Sequence, residues 1–135
     1  MKRKSLIITL LFVATIVVTG FVPQETNQST LEIVSQAIQL GNSSDLAKHF
    51  NPTVELEILD DENIYSRAQA ELLLKDFFTR NKPTSFKINH QGTKGNTSFA
   101  IGNYISPSGS YRVSIFMKTE KDKILIHQLR IEKSE

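Results

Sequence analysis

Residues 97–119, TSFAIGNYISPSGSYRVSIFMKT, contain two stretches with the composition of β-strands, joined by a tight turn. Thr97 to Ser106 and Tyr111 to Thr119 are rich in the β-branched and aromatic residues that are enriched in strands. The turn between them, Ser106-Pro107-Ser108-Gly109, consists of residue types that favour turns. Gly102 lies in the middle of the first strand and predicts a bend or bulge there.

Two further strands flank this hairpin along the chain. One begins near Phe86 and is separated from the hairpin by the turn 92–96, and the other, Ile124 to Glu132, follows the charged turn 120–123. Four successive strands joined by short turns predict an antiparallel meander. Upstream, residues 53–59 alternate apolar and polar residues, which predicts one more strand with a buried and an exposed face.

Three helices are predicted before the meander. The longest begins at Ser66, which forms a capping-box pattern with Gln69, and runs to about Arg80 with a wide apolar stripe. Shorter helices are predicted over residues 29–41, capped by Ser29 or Thr30, and over residues 43–50. The order helix, short helix, strand, long helix and four strands predicts an α+β fold, in which N-terminal helices pack on a curved antiparallel sheet.

The first twenty residues have the pattern of a signal peptide. Residues 2–4 are basic, residues 6–18 form an apolar stretch interrupted only by two threonines, and residues 18–20 suit a cleavage site. An uncleaved membrane anchor is the alternative, but the apolar stretch is shorter than the ~20 residues that span a bilayer. We therefore predict a signal peptide over residues 1–20 and an exported protein, periplasmic or secreted.

The rest of the chain predicts a flexible N-terminal tail over residues 21–28 and one α+β domain over residues 29–135. The formal net charge of +2 becomes −1 without the first twenty residues, which hold three basic residues and no acidic ones. This balance excludes a strongly basic domain, so no nucleic-acid partner is predicted, and membrane contact is predicted only through an uncleaved signal segment. The absence of cysteine excludes disulfides, thiolate metal sites and cysteine catalysis.

A series of short motifs extends over almost all of the predicted mature chain. They are residues 41–50, Val54-Glu55-Leu56, residues 65–71, Phe77-Phe78, His90-Gln91-Gly92, Ile101-Gly102, Tyr111-Arg112-Val113 and Leu129-Arg130-Ile131. In this order they resemble the nuclear transport factor 2-like (cystatin-like) superfamily and, more narrowly, a family of small exported bacterial proteins known only as a domain of unknown function. The resemblance implies helices packed into a cone-shaped bent sheet. It implies no single activity, since the superfamily includes isomerases, dehydratases, hydrolases and non-catalytic binding modules.

Two histidines are candidate site residues. His127 lies between Leu125 and Leu129 on an alternating strand, so we expect it on their apolar face, either as a core histidine, the favoured interpretation, or as a base in a pocket. His90 is expected on the face of Ile88, near the rim of the sheet. No two histidines have the spacing of metal ligands, and neither a metal nor another cofactor is predicted.

Two arginines within predicted strands are further candidates. Arg112 is expected on the face of Phe116, and Arg130 on the face of Ile126. A guanidinium group binds carboxylate or phosphate well, so the two arginines predict an anion site if the strands bring them together. The favoured interpretation is instead a solvated outer face, with cross-strand partners such as Glu132.

The favoured functional hypothesis is an exported, non-catalytic binding or interaction module. It would hold a small ligand in the cone, with Tyr65, Tyr104 and the four residues above as ligand-binding candidates, or an envelope-protein partner on the sheet. The resemblance also implies a homodimer through the sheet face. The alternative is a small lyase or isomerase that pairs His127 or His90 with Tyr65 or Tyr104. Catalysis is the weaker hypothesis, because most acidic residues fall on polar faces or in turns, where they are solvated. Asp76 flanks the apolar stripe of the long helix and could reach into the cone, but a surface ion pair is the favoured interpretation.

Overall fold

The computed structural model describes Gly20 and residues 26–135. Its elements, in chain order, are α1 (Asn27–Gln39), α2 (Ser43–Ala47), β1 (Phe50–Ile58), β2 (Asp61–Ser66), α3 (Arg67–Arg80), β3 (Ser85–Lys94), β4 (Thr97–Ser106), β5 (Gly109–Glu120) and β6 (Lys123–Lys133). This is the predicted order of helices and strands, with β2 as an additional strand. Residues 1–19 of the predicted signal peptide and residues 21–25 of the predicted tail lie outside the described residues.

The six strands form one sheet in the order β2-β1-β6-β5-β4-β3. β3 to β6 form the predicted antiparallel meander, and β2 pairs antiparallel with β1 as a hairpin. β1 pairs parallel with β6, so the prediction of a wholly antiparallel sheet is wrong at this pair. The connection from β2 through α3 to β3 takes the chain across the sheet, and the meander then returns its last strand beside the first. Alternation within a strand carries no information about such a distant neighbour.

The start of α3 is as predicted, and the start of α1 is not. α3 begins at the capping box of Ser66 and Gln69, in which each side chain bonds the backbone N–H of the other residue. α1 begins earlier than expected because Thr26 is its N-cap and forms a second capping box with Ser29. Residues 27–28 therefore belong to α1 and not to a flexible tail.

One core joins the three helices to one face of the sheet, which we call the inner face. Val34 of α1, Leu74 of α3, and Val113 and Ile115 of β5 are each at most 1% exposed. Phe50, predicted at the end of the short second helix, instead begins β1 and is also fully buried. The intervening residues of each strand lie on the opposite face, which we call the outer face.

The bend predicted at Gly102 coincides with a β-bulge on the neighbouring strand. Ile88 of β3 pairs with Gly102, but the next pair is His90 with Ile101, so Asn89 is an extra residue in β3. A strand changes its alternation between the two faces where a bulge inserts a residue. His90 therefore lies on the outer face beside Ile101 and not, as predicted, on the face of Ile88.

A second β-bulge lies in β6. Ile126 and Gln128 pair with adjacent residues of β5, so His127 is the extra residue. Ile126, before the bulge, and Leu129, after it, are both buried. They are three residues apart, whereas buried residues of a regular strand are separated by an even number. The prediction that Arg130 shares the face of Ile126 is wrong for this reason: Ile126 faces the core, and Arg130 lies on the outer face.

Candidate functional site

Tyr104, a predicted ligand-binding residue, belongs to an aromatic cluster in the core. It is fully buried, and its ring centroid lies between 5.7 and 6.1 Å from those of Phe77, Phe78 and Tyr111. Its hydroxyl donates a hydrogen bond to the backbone carbonyl of Asn81. Burial raises the pKa of Tyr104, and the neighbouring Tyr111 raises it further. Tyr104 is therefore a neutral core residue whose hydroxyl is already engaged.

Asn81, which the sequence did not indicate as a site residue, accepts hydrogen bonds from three hydroxyl groups at the end of α3. Its carbonyl accepts from Tyr104, and its Oδ1 accepts from Tyr111 at 3.0 Å and from Ser108 at 2.5 Å. Its Nδ2 donates to the Phe77 carbonyl at 3.1 Å, and its backbone N–H bonds the same carbonyl at 2.8 Å. An asparagine directly after a helix is the one signal in the sequence, and it does not predict these distant partners.

Tyr65, another predicted ligand-binding residue, lines an open pocket. We call it the hairpin pocket, because it lies between α3 and the β1–β2 hairpin, and its volume is about 230 Å³. Its apolar part is formed by Leu56, Ile58, Leu59, Leu73 and Phe77. Unlike that of Tyr104, the Tyr65 hydroxyl makes no hydrogen bond to another described residue. Tyr65 is thus the candidate whose polar group remains available inside a cavity.

Neither of the two predicted histidines lies in the core. His127 is half-buried at the bulge in β6 and interacts electrostatically with Lys118 and Glu120 of β5. The prediction of a core histidine on one face with Leu125 and Leu129 is wrong, because the bulge separates those two leucines and only Leu129 is in the core. His90 is exposed on the outer face of the edge strand β3.

His127 is expected to make the stability of the fold depend on pH. Burial lowers its pKa below 6.5, Lys118 lowers it further, and Glu120 partly opposes both. The unfolded chain therefore takes up a proton at a higher pH than the folded chain does. The stability that the neutral His127 contributes is then fully present above pH 6.5. It is lost as the pH falls from 6.5 through the pKa of His127 in the folded chain.

We expect the wild type to lose more stability than His127→Gln when urea unfolding is compared at about pH 7.5 and about pH 5.5. His90→Gln is the control, since it removes an exposed histidine from the same sheet. A wild type and a His127→Gln variant with the same pH dependence would contradict this assignment.

Carboxylates join Arg112 and Arg130 on the outer face. The Nε of Arg130 lies 2.5 Å from Glu57 Oε2, and its Nη2 lies 3.4 Å from Glu132 Oε1. The Nη2 of Arg112 lies 3.1 Å from Glu132 Oε2, so the expected cross-strand partner is present and connects both guanidinium groups. The hydrogen bond with Glu57 raises the pKa of Arg130. An incoming anion would have to displace these carboxylates.

An apolar stripe runs beside this charged network. It consists of Phe99, Ile101 and Ile105 of β4 and Phe116 of β5, which all lie on the outer face. Phe99 is 38% exposed and Ile105 is 44% exposed. The Phe99 ring also covers Gly92 of β3, where a Cβ atom would lie 2.6 Å from it. The outer face thus presents large apolar side chains to solvent.

Opposite charges flank the apolar stripe. Glu55 and Glu57 of β1, with Glu62 of β2, form an acidic side, and a hydrogen bond with Glu55 raises the pKa of Glu62. His90 and the lysines of β3, Lys87 and Lys94, form a basic side. Among the described residues these two lysines make no salt bridge. In the strand order, β1 and β3 each lie two strands from β5.

The described part of the chain contains neither a candidate metal centre nor a membrane-spanning helix. Within the described residues, no three His, Cys, Asp or Glu side chains form a group that could hold a metal ion. In the same part of the chain, no helix is both long enough and apolar enough to cross a bilayer.

The sequence matches a known family over most of the domain. The family described as Domain of unknown function (DUF4783) matches residues 31–132. The chain belongs to this family. A comparison of the DUF4783 chain with curated proteins finds no match.

Solved structures of other DUF4783 proteins have the same fold. The protein from Bacteroides ovatus ATCC 8483 is 33% identical, with a TM-score of 0.76, over 84% of this chain and 99% of that chain. The protein from Bacteroides uniformis ATCC 8492 is 35% identical, with a TM-score of 0.74, over 77% of this chain and 96% of that chain. The family that the motifs predict is therefore confirmed.

More distant structures share the fold of this DUF4783 protein. The protein called Rd1NTF2_04 with long sheet is 18% identical, with a TM-score of 0.63, over 78% of this chain and 99% of that chain. A putative calcium/calmodulin-dependent protein kinase type II association domain from Thiobacillus denitrificans is 11% identical, with a TM-score of 0.64, over 82% of this chain and 96% of that chain. These likenesses confirm an α+β, nuclear transport factor 2-like fold and carry no activity.

Proposed function

We propose that this protein is a non-catalytic interaction module that self-associates through the outer face of its sheet. The observation that carries the proposal is the exposed apolar stripe, set between an acidic and a basic side. We also propose that the protein is exported to the periplasm or secreted, as the pattern of residues 1–20 predicts.

The apolar stripe would supply the driving force for association. The helices cover the inner face of the sheet, so the apolar stripe is the part of the sheet still open to another layer. Each Å² of apolar surface that association removes from water contributes roughly 25 cal/mol, so covering several phenylalanine and isoleucine side chains favours pairing. Phenylalanine at the centre of such a patch is also typical of protein interfaces.

The charge pattern favours a second copy of this chain as the partner. In a two-fold symmetric dimer, the same face of both subunits meets, so the face must complement itself. If the two-fold axis passes over Phe116 of β5 along the strands, β3 of one copy lies over β1 of the other, because both are two strands from β5. Glu55 is level with Phe116, Phe99 and Gly92, because the strand pairings connect these residues across the sheet through Gln128. In this arrangement Glu55 would face Gly92 of the second copy and lie between its Lys94 and His90.

The name of one distant neighbour supports an associating role. The Thiobacillus denitrificans protein with this fold is called a putative kinase association domain. Such a name describes that protein, and it adds to the proposal here only as a precedent for a fold that serves in association. An envelope protein of complementary charge is the competing partner, and the experiment below separates the two.

The lyase or isomerase alternative has less support. His90 lies on the outer face and His127 is the extra residue of the bulge in β6, whereas Tyr104 lies in the core and Tyr65 lines the hairpin pocket on the inner side. A base and its acid partner must both lie within hydrogen-bond reach of the group they serve. His90 and the two tyrosines lie on opposite faces of the sheet, which supports the binding hypothesis over this pairing.

A charge-swap series measured by sedimentation equilibrium tests the proposal. The full chain is expected to reach twice its 15.2 kDa mass as the concentration rises. Lys94→Glu and Glu55→Lys should each weaken the dimer about tenfold, because each places like charges together at two symmetry-related contacts. The double variant should recover most of the wild-type affinity, since it restores opposite charges with their positions exchanged.

Two control variants lie on the helices. Lys75→Glu makes the same charge change at an exposed position of α3. Leu72→Ser removes an exposed leucine from that helix, just as Phe99→Ser removes a phenylalanine from the stripe. We expect Phe99→Ser to weaken the dimer and both helix variants to leave it unchanged. A wild type that stays monomeric, or a double variant no better than the single ones, would refute the proposal.

A further inference from the structure

The hairpin pocket is a second surface whose chemistry self-association does not use. It lies on the side of the sheet that carries the helices, and its apolar part combines four aliphatic side chains with the ring of Phe77. Its volume of about 230 Å³ exceeds that of a ~150 Å³ apolar cavity that holds a benzene molecule. The pocket therefore has room for a ligand of the size of one fused ring pair.

The charges at the pocket rim select among such ligands. Asp61, Asp76 and Arg80 line the rim, so its formal charge is −1. Arg80 is already engaged, since its Nε lies 3.1 Å from Asp76 Oδ1. Asp61 makes no salt bridge with a described residue. The last turn of α3, where the helix dipole is negative, also borders the pocket through Asn81. Together these groups favour a cationic ligand over an anionic one.

Tyr65 provides the remaining recognition elements. Its ring forms one side of the pocket, and a cation over an aromatic face is attracted by the ring electrons. Its hydroxyl is without a protein partner in the described part of the chain, so it can accept a hydrogen bond from an ammonium group. Apolar walls, a free hydroxyl and an acidic rim are thus assembled around one cavity.

We propose that the hairpin pocket binds a small aromatic amine, with the ring between Tyr65 and Phe77 and the ammonium group at Asp61. This proposal goes beyond self-association and does not depend on it, because the pocket and the apolar stripe lie on opposite sides of the sheet.

Three indole compounds that differ in charge provide the test. Tryptamine is cationic, indole is neutral and indole-3-acetate is anionic, while the ring stays the same. The chain contains no tryptophan, so the fluorescence anisotropy of the indole ring reports on the probe alone when tyrosine is not excited. With the full chain, tryptamine should bind most tightly, and indole-3-acetate should bind at least about tenfold more weakly than tryptamine.

Variants locate the site. Asp61→Asn should lower the affinity for tryptamine several-fold and leave that for indole unchanged, and Tyr65→Phe should have the same selectivity. Asp45→Asn is the control, because Asp45 is an exposed carboxylate on α2 and does not line the pocket. Equal binding of tryptamine and indole-3-acetate, no binding of any probe, or an equal effect of Asp45→Asn would each overturn the proposal. Phe99→Ser should not change tryptamine binding, which separates this test from that of self-association.

Discussion

Replacing Asn81 by alanine is expected to lower the free energy of unfolding by about 2–3 kcal/mol. The variant removes the Oδ1 acceptor of Tyr111 and Ser108 and the Nδ2 donor to the Phe77 carbonyl. Tyr111 is buried, so its hydroxyl would keep the cost of desolvation without a partner. A loss of this size is large beside the whole stability of a small domain.

Urea denaturation of Asn81→Ala, Tyr111→Phe and the double variant measures this contribution. Asn81→Ala leaves the Tyr111 hydroxyl without its acceptor, and Tyr111→Phe removes that hydroxyl. The double variant should therefore lose about 1 kcal/mol less unfolding free energy than the sum of the two single variants. Tyr104→Phe is the control, since Tyr104 bonds the backbone carbonyl of Asn81, which the alanine variant retains. Strict additivity of Asn81→Ala and Tyr111→Phe would show that the hydrogen bond contributes nothing.

Gly102→Ala is expected to destabilise the fold by about 2–3 kcal/mol, although it adds only one methyl group. An added Cβ would lie 2.7 Å from the backbone carbonyl of Lys87 and 2.7 Å from the ring of Phe86. The carbonyl belongs to the paired strand β3 and the ring is buried, so neither can yield without a shift of the sheet. The glycine is required here for the close approach of two strands.

Gly92→Ala is the matched control, because both glycines lie in neighbouring strands of the same sheet. At Gly92 the added Cβ would meet only the Phe99 ring, a partly exposed side chain that can rotate away. We expect this variant to cost under about 1 kcal/mol. Thermal or urea unfolding of both variants compares them, and equal losses would show that the contact at Lys87 does not constrain the sheet.

Features that depend on neighbouring residues were predictable from the sequence. The capping box of Ser66 and Gln69 involves residues three apart, and the meander follows from strands joined by short turns. The motifs also predicted the family, which the match over residues 31–132 confirms. In each case the interactions that decide the structure lie close together in the chain.

Features that depend on distant pairings were not predictable. The bulges at Asn89 and His127 are set by how each strand aligns with its neighbour. The residue inserted at Asn89 made the predicted face of His90 wrong, and the one inserted at His127 made those of His127 and Arg130 wrong. The parallel pairing of β1 with β6 depends on where the chain returns after α3. The role of Asn81 depends on hydroxyl groups 23 to 30 residues away. The ligand-binding roles given to the candidate residues stay predictions.

Spin-label distances between subunits would test the central claim, association through the outer face, most directly. The chain has no cysteine, so a single introduced cysteine carries the label at a unique site. Asn103→Cys labels an exposed outer-face residue of β4, and Ser44→Cys labels an exposed residue of α2 on the helix side. Because packed sheets lie about 10 Å apart, double electron–electron resonance should give a distance within about 25 Å at Asn103 and beyond about 30 Å at Ser44. A short distance at Ser44, or no distance between subunits at either position, would contradict the account.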